Sequence, residues 1–228
     1  MRDTPVPRLS AHVFMCVADH HPVLLDLRSD RYLCLPPETT PVARALMEGR
    51  PAGPEGAPLL LEMREEGLID LTGAEGSPRQ PPPVAGRDLN TLDMPQASPT
   101  GILTALRFLQ AVVTAYCLLS LFGLERTVRW RRGRRQPSEL RPEEASTRLR
   151  VLVNRFERLR PFVFTARDRC LFDSLALHLF LAAHGEASTW IFAVRTQPFI
   201  AHCWIQQGDC VCNDTIDHVR LFTPIMAV

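Results

Sequence analysis

The chain has 228 residues, 46% of them apolar, and a formal net charge of +1, so it is long enough for one or two domains with hydrophobic cores. The near-neutral charge gives no global argument for a nucleic-acid or membrane partner, and no nucleic acid is expected. Seven scattered cysteines, an odd number, argue against a disulfide scaffold, and residues 1–10 lack the apolar segment of a signal peptide, so a cytoplasmic location is expected.

Residues 1–70 predict a small unit in which a three-stranded antiparallel sheet is followed by helices. Three short runs rich in β-branched and aromatic residues are separated by turn residues, at 12–18, 22–28 and 31–35. Two helical patterns follow. One starts at Thr39 or Thr40 and ends at Gly49, and the second ends at Gly67.

Residues 71–100 break this pattern, because they are rich in Pro, Gly and Ser and show no apolar periodicity. This composition predicts a linker that separates residues 1–70 from a second domain, residues 101–228. In the second domain helical patterns come first, and strand patterns follow Cys170, at 188–195, 199–206 and 210–214. The whole chain is therefore expected to be α+β, with helices plus a small antiparallel sheet in the second domain.

Residues 101–124 are apolar enough to raise the question of a transmembrane helix. Arg107 and Gln110 interrupt the run and leave 14 residues from Ala111 to Leu124, fewer than the roughly 20 that span a bilayer. The arginine-rich residues 126–135 suit a membrane surface as well as a solvated helix end. Two interpretations stay open: a helix that is buried or docked on a partner, and a helix that makes peripheral membrane contact.

Cys170 stands where an almost entirely apolar helix is predicted to begin, with Asp168 as its N-cap and Gly185 at its end. A thiol in the first turn faces the positive end of the helix dipole and backbone N–H groups that lack intrahelical partners. Both lower the pKa of the thiol, and the same N–H groups suit an oxyanion. Taken alone, a cysteine in an apolar helix is more often a small core residue, so the hypothesis of a nucleophile depends on its partners.

His202 and Asp214 supply those partners. His202 lies in the middle of a predicted strand and Asp214 ends the next one, with a turn near residue 208 between them. The two residues should therefore lie almost opposite each other on adjacent antiparallel strands. A thiol, an imidazole that deprotonates it and a carboxylate that fixes the imidazole tautomer form a nucleophilic triad, here Cys170, His202 and Asp214.

Two alternatives use overlapping residues. Asp217 competes with Asp214 for the third role, but its position beyond the strand makes it the weaker candidate. A zinc site is the other alternative, and it would draw on a cluster of candidate ligands, His202, Cys203, Cys210, Cys212 and Asp214. No pair in this cluster has the two-residue separation of zinc knuckles, and Cys203 points away from His202 along the strand. No metal and no cofactor are expected.

Residues 163–225 closely resemble the leader-peptidase B proteins of lasso peptide biosynthesis, on the stretches "CLFDSLALHLFLAAHG", "FAVRTQPFIAHCWIQ", "CNDTIDHV" and "FTPI". The resemblance implies a papain-related, transglutaminase-like cysteine peptidase domain. It also implies that Cys170, His202 and Asp214 occupy the family's catalytic positions. One departure is Cys203, where the family commonly has a small residue such as Ala.

Residues 11–70 look like a RiPP recognition element, a winged-helix-like module similar to a pyrroloquinoline-quinone chaperone, on "VLLDLRSDRYLCL" and the helices after it. In that family the third strand and the last helix hold a leader peptide, which adds as an extra strand. The resemblance therefore implies a set of leader-binding residues here, Tyr32, Leu33, Cys34, Glu62, Glu65 and Glu66. For the three glutamates a solvated helix face is the alternative interpretation.

Together the two resemblances imply that recognition and cleavage of a ribosomal precursor peptide are fused in one chain. They further imply a partner, an ATP-dependent, asparagine-synthetase-like lasso cyclase that closes the macrolactam, and the apolar helix at 101–124 is a hypothetical contact surface for it. Two other functions stay open. One is an acyltransferase or transglutaminase of the same fold, and the other is a non-enzymatic chaperone of the precursor.

Overall fold

The computed structural model describes residues 7–70, 83–89, 101–133, 142–163 and 170–228, with the side chains of 142–146 excepted. Contacts divide the chain into two units. The first comprises Met1–Pro82, Ala193–Ala201 and Phe222–Met226, and the second comprises Pro83–Phe192, His202–Leu221 and Ala227–Val228. The predicted α+β class is confirmed: an antiparallel sheet region comes first, and helices with a second sheet follow.

In the first unit, residues 7–70 form a three-stranded antiparallel sheet, a two-stranded sheet and two helices. Its elements are β1 (Arg8–Leu9), β2 (Val13–Ala18), β3 (His21–Asp26), β4 (Arg31–Cys34), α1 (Thr40–Met47), α2 (Ala57–Glu65) and β5 (Ile69–Asp70). The larger sheet has the order β2-β3-β4, and β1 pairs with β5. One face of the sheet packs on both helices through a cluster of buried residues, Val13, Met15, Leu24, Ala43, Leu46, Met63, Leu68 and Ile69.

The turns of this unit explain where its elements end. Asp19 and His20 both have positive φ, which is the backbone of a two-residue type I′ hairpin loop joining β2 to β3. This loop lies between the first two segments that the sequence predicts as strands, 12–18 and 22–28. Gly49 and Gly67 adopt positive φ after α1 and α2, as a C-terminal glycine does. Thr39 precedes α1 without a side-chain capping bond, because its hydroxyl donates to the Pro36 carbonyl instead.

The second unit begins with helices that pack on one central helix. Their bounds are α3 (Ile102–Cys117), a π-helical segment (Leu118–Phe122), α4 (Gly123–Arg132), α5 (Pro142–Leu159) and α6 (Cys170–Ala183). The arginine-rich tail predicted after residue 124 is thus largely helical, as α4. Rings from three helices meet in the core, since Phe156 lies 5.3 Å from Phe108 and 5.6 Å from Phe180 between centroids. Helix α6 is buried continuously from Asp173 to Leu181.

A five-stranded sheet completes the fold, in the order β10-β7-β8-β9-β6. The strands are β6 (Arg87–Asp88), β7 (Thr189–Thr196), β8 (Phe199–Gln207), β9 (Cys210–Val211) and β10 (Thr223–Ala227), with a short helix α7 (Ile216–Val219) before β10. Strand β6 pairs in parallel with β9, with Arg87 opposite Cys210. Two residues inside the segment predicted as linker, 71–100, therefore belong to this sheet. Most of that segment, and Asp168, lie outside the described residues.

One helical stretch, Ile102–Arg132, is long and apolar enough to cross a membrane by length and composition. Its most apolar window is 22% buried. The outward side of α3 carries six exposed large apolar side chains, Ile102, Leu103, Leu106, Leu109, Val113 and Tyr116. Buried side chains on its other side include Phe108, Val112 and Ala115. Within the described residues, one side of α3 is therefore buried and the other side is exposed.

Candidate active site

Cys170 is the first residue of α6, and its thiol is partly buried. The rest of the helix is held rigidly because its apolar side chains are buried on all sides from Leu175 to Leu181. The N–H groups of the first turn have no intrahelical acceptor, and they lie with the positive end of the helix dipole at the end of α6 that carries the thiol. The core thus fixes the position of a thiol at the exposed end of a buried helix.

His202 lies in β8, and its imidazole is hydrogen bonded to Asp214. The distance from His202 Nε2 to Asp214 Oδ2 is 2.5 Å, and both side chains are mostly buried. His202 also makes a side-chain hydrogen bond with Cys170. Since Nε2 is engaged by Asp214, Nδ1 is the ring nitrogen that faces the sulfur. The structure therefore brings together the three residues that the sequence analysis grouped.

The loop that follows β9 places Asp214 beside the His202 imidazole. Strands β8 and β9 pair with Gln206 opposite Val211, and the ladder then ends. Beyond this pair, Ile205 N donates to a side chain instead of a backbone carbonyl of the neighbouring strand: Asn213 Oδ1 accepts from it at 2.8 Å. Asp214 Oδ1 accepts from Thr215 N at 2.7 Å, which fixes the carboxylate plane. Asp217, the alternative third group, is exposed on α7, whereas Asp214 is the carboxylate that bonds His202.

The electrostatics of the group favour an ion pair. A hydrogen bond from the Cys203 thiol, together with His202, lowers the pKa of Cys170 to about 4 although partial burial opposes the charge. Burial also opposes the charge on His202, yet its bonds to Asp214 and Cys170 raise its pKa to about 9. Asp214 is partly buried too, but hydrogen bonds from His202 and His218 hold its pKa below the usual value. A thiolate beside an imidazolium is the state these shifts favour at neutral pH.

Cys203 is the unexpected member of this group. Burial and the neighbouring Cys170 raise its pKa, so it stays protonated and can donate its hydrogen to the thiolate. Its backbone is tied to α6, because Ser174 Oγ donates to the Cys203 carbonyl at 3.0 Å. Cys203 follows His202 in β8, and its side-chain interactions with Cys170 and Ser174 place its thiol beside the first turn of α6.

A polar network braces α6 against the Asp214 loop. Asn213 Nδ2 donates to Ser174 Oγ at 3.1 Å and to Asp173 at 3.3 Å. Arg160 bonds the same Asp173 carboxylate at 3.3 Å and pairs with Glu157 at 2.6 Å. Burial raises the pKa of Asp173 even though the Arg160 charge opposes that shift. The helix that carries the thiol and the loop that carries the carboxylate are thereby joined through side chains.

A cavity of about 310 Å³ is bordered by this loop. Its lining mixes apolar and charged side chains, Leu89, Arg150, Val153, Asn154, Glu157, Arg160, Cys212, Asn213, Asp214 and Thr215. Of Cys170, His202 and Asp214, Asp214 alone is part of that lining.

The candidate zinc cluster of the sequence analysis is not assembled around Cys210 and Cys212. Both thiols are buried and contact backbone carbonyls, at 3.8 Å and 3.7 Å. Burial raises the pKa of each thiol, which disfavours the thiolate that a metal needs. These two cysteines are core residues of the sheet.

The predicted leader-binding residues lie in the first unit, on β4 and α2. Strand β4 is one of the two edge strands of the three-stranded sheet, and an edge strand can pair with an added strand. The Leu33 side chain packs against the core cluster, while Cys34 is exposed and Tyr32 is partly buried. Glu62, Glu65 and Glu66 are exposed on α2 and just after it. Of this group, Leu33 thus presents its backbone rather than its side chain.

Sequence reasoning assigned no role in this site to Arg160, Asp173, Asn213 and His218, and it named Cys203 only as a candidate zinc ligand and as a departure from the resembled family. A signal existed for His218, because Thr215 begins a helical turn and His218 follows Asp214 by four residues. Asn213 and Asp173 gave no such signal, because their partners are distant in sequence.

One comparison with known proteins gave a match. A family model described as "Transglutaminase-like superfamily" matches residues 111–227, which is about half of the chain. No curated protein and no solved structure matches the chain. The matched region contains Cys170, His202 and Asp214.

Proposed function

Because the chain belongs to the transglutaminase-like superfamily, we propose that it is a cysteine peptidase. Cys170 is the nucleophile, His202 is the general acid and base, and Asp214 orients the imidazole. The observation that supports this best is the Cys170–His202–Asp214 arrangement, with a lowered pKa on the thiol and a 2.5 Å bond between the other two.

The reaction follows from the positions of the protons. The Cys170 thiolate attacks the carbonyl carbon of the scissile peptide bond, and the N–H groups at the start of α6 stabilise the oxyanion. His202 gives its Nδ1 proton to the departing amine, which leaves a thioester on Cys170. The now neutral Nδ1 takes a proton from water, and the resulting hydroxide attacks the thioester carbon. The bond from that carbon to Cys170 Sγ then breaks, which releases the acid product and restores the thiolate beside the imidazolium. Asp214 stays ionised throughout and keeps the second proton on Nε2.

The substrate in this proposal is the leader–core bond of a ribosomally made lasso peptide precursor. The leader adds as a strand to β4, through the backbone of Tyr32, Leu33 and Cys34. The exposed glutamates of α2 and its end suit basic leader positions, Glu62, Glu65 and Glu66. Holding the leader in this way raises the local concentration of the cleavage site, so the peptidase site itself needs little affinity.

The proposal includes a partner and a location. Cleavage frees the amine of the core peptide, and an ATP-dependent, asparagine-synthetase-like cyclase joins that amine to an acidic side chain. Both proteins would act in the cytoplasm, where the precursor is made.

The test is intact mass spectrometry of a precursor co-expressed with the cyclase and with wild-type protein or Cys170→Ala. The peptidase proposal expects leader loss and a core that has lost one water only with wild type. Cys117→Ala, a partly buried thiol elsewhere in the second unit, is the matched control and should behave as wild type.

Three other results would overturn parts of the proposal. Leader loss that persists with Cys170→Ala would mean that the thiol is not the nucleophile. A leader recovered with an amine attached rather than as a free acid would indicate an acyltransferase. Maturation of the precursor with Cys170→Ala at the wild-type level would indicate a chaperone.

A further inference from the structure

Asp214 is hydrogen bonded to a second histidine, His218, which the proposed peptidase chemistry does not use. His218 Nδ1 lies 2.9 Å from Asp214 Oδ2 and 3.0 Å from Oδ1. The same Oδ2 is 2.5 Å from His202 Nε2, and the two imidazole rings are 4.9 Å apart between centroids. One carboxylate is therefore placed between two imidazole nitrogens.

Local structure holds His218 there. Thr215 caps the short helix α7, and its hydroxyl accepts from His218 N at 3.3 Å. Asp88, at the end of β6, accepts from Ile216 N at 2.7 Å and so ties α7 to the sheet. His218 then follows Asp214 by one helical turn. The His–Asp–His arrangement is thus built by the backbone rather than by chance contact of surface side chains.

The three groups have the chemistry of a metal site. One ligand atom from each of His202, Asp214 and His218 lies within 4.8 Å of the other two. Two imidazoles and a carboxylate are a common ligand set for zinc, at about 2.0–2.2 Å from the ion, which requires ligand atoms about 3.4 Å apart. The distance from the Asp214 oxygen to each imidazole nitrogen must therefore increase by less than about 1 Å. The His218 side chain is 47% exposed and has room to turn.

We propose that His202 Nε2, a carboxylate oxygen of Asp214 and His218 Nδ1 form an inhibitory site for a divalent transition-metal ion, with zinc as the best fit. Water fills the fourth position, as in three-ligand zinc sites. The ion replaces the hydrogen on His202 Nε2, which is released to solvent, and the hydrogen of His218 moves from Nδ1 to Nε2. The ion is a reversible inhibitor and not a cofactor.

This inference rests on the proposed function only for its consequence, the loss of peptide cleavage. Cys170 faces the opposite ring nitrogen, Nδ1, so the ion does not bind the sulfur. A metal-bound imidazole keeps its Nδ1 hydrogen bonded to the thiolate but gives it up far less readily than an imidazolium does. The thiolate therefore stays reactive while the departing amine is no longer protonated. Zinc should stop peptide cleavage and leave alkylation of Cys170 intact.

The experiment is isothermal titration of the full-length, untagged protein with Zn²⁺ alone, for wild type and His218→Asn. The asparagine amide can still donate to Asp214 but is a poor zinc ligand. We expect one site in wild type and a loss of affinity of about tenfold or more in the variant. His20→Asn is the matched control, because His20 is exposed in a turn whose positive φ asparagine tolerates, and it should bind as wild type does. His218→Gln serves if His218→Asn does not fold.

A second measurement locates the ion. Iodoacetamide labelling of Cys170, mapped by peptide mass spectrometry, should proceed at a similar rate with and without Zn²⁺. Equal zinc affinity in wild type and both His218 variants would overturn the inference, and so would protection of Cys170 from alkylation, which would place the ion on the sulfur. Failure of the proposed peptidase function would appear separately, as absence of precursor cleavage in metal-free protein with the zinc titration unchanged.

Discussion

The second unit contains two apolar helices that the sequence does not distinguish well, α3 and α6. Helix α6 is enclosed, and Phe180 in its middle is 0% exposed. Helix α3 buries one side and leaves the other open, and Leu106 on the open side is 58% exposed. Both helices meet in the phenylalanine cluster, since Phe108 of α3 lies 6.3 Å from Phe180.

The difference shows what each helix contributes. An enclosed helix cannot shift without opening the core, so a reactive group at its first residue is held in place. Helix α3 stabilises the core with its buried side only. Its exposed side forms a continuous apolar patch, in contrast to the single exposed apolar side chains that are normal on a protein surface. Apolar content therefore predicts a helix in both cases, but its function depends on which sides are covered.

Truncation at the centre of each helix is the strongest test of this comparison. Phe180→Ala leaves a cavity between three helices and should lower the free energy of unfolding by about 3–5 kcal/mol. Leu106→Ala on the open side of α3 should change it by no more than about 0.5 kcal/mol. Urea denaturation of both variants measures the difference. Similar losses in the two variants would mean that the open side of α3 is covered in solution.

The pH dependence of cleavage tests whether the end of α6 holds a thiolate. Cys170, with its pKa lowered to about 4, is ionised above that pH, and His202, with its pKa raised to about 9, is protonated below that pH. The kcat/KM of precursor cleavage should therefore fall below about pH 4 and above about pH 9, and stay level between.

The variant Asp214→Asn isolates the alkaline limb of that profile. It removes a carboxylate that raises the pKa of His202, so the limb should move to lower pH, and the plateau should drop by about 10²–10⁴-fold. An alkaline limb that stays in place would show that Asp214 does not act on the imidazole.

A smaller effect is expected at Cys203, which ties the first turn of α6 to β8. Cys203→Ala removes the hydrogen bond that does most to lower the pKa of Cys170, so the pKa should rise and the acid limb of alkylation should move to higher pH. Cys203→Ser keeps a donor in the same place and should leave the limb closer to wild type. The rate of iodoacetamide labelling of Cys170 against pH measures both. If the acid limb of alkylation lay at the same pH in wild type and Cys203→Ala, the Cys203 thiol would not be lowering the pKa of Cys170.

Local patterns were sufficient to predict much of this fold and part of the site. The three strands of the larger sheet in the first unit follow from short apolar runs between turn residues, and helix α6 follows from a long apolar run that ends at Gly185. The meeting of His202 and Asp214 follows from strand pairing across a short turn. Strand β6 was missed because two residues in a proline-rich segment have no periodicity, and they are a strand only through pairing with β9. The bond from Cys203 was missed because it depends on where α6 packs against β8.

The smallest expected effect concerns the open side of α3 and decides what its exposure means. The triple substitution Leu106→Gln, Leu109→Gln and Val113→Gln should change the free energy of unfolding by at most about 1.5 kcal/mol in total, because exposed substitutions each act within about 0.5 kcal/mol. Phe108→Gln, which places an amide in the phenylalanine cluster of the same helix, is the matched control and should destabilise the protein severely. A large loss in the triple variant would mean that the apolar patch is part of the folded core in solution. A negligible loss would mean that the core does not need these side chains, so that their apolar character requires an explanation outside the fold.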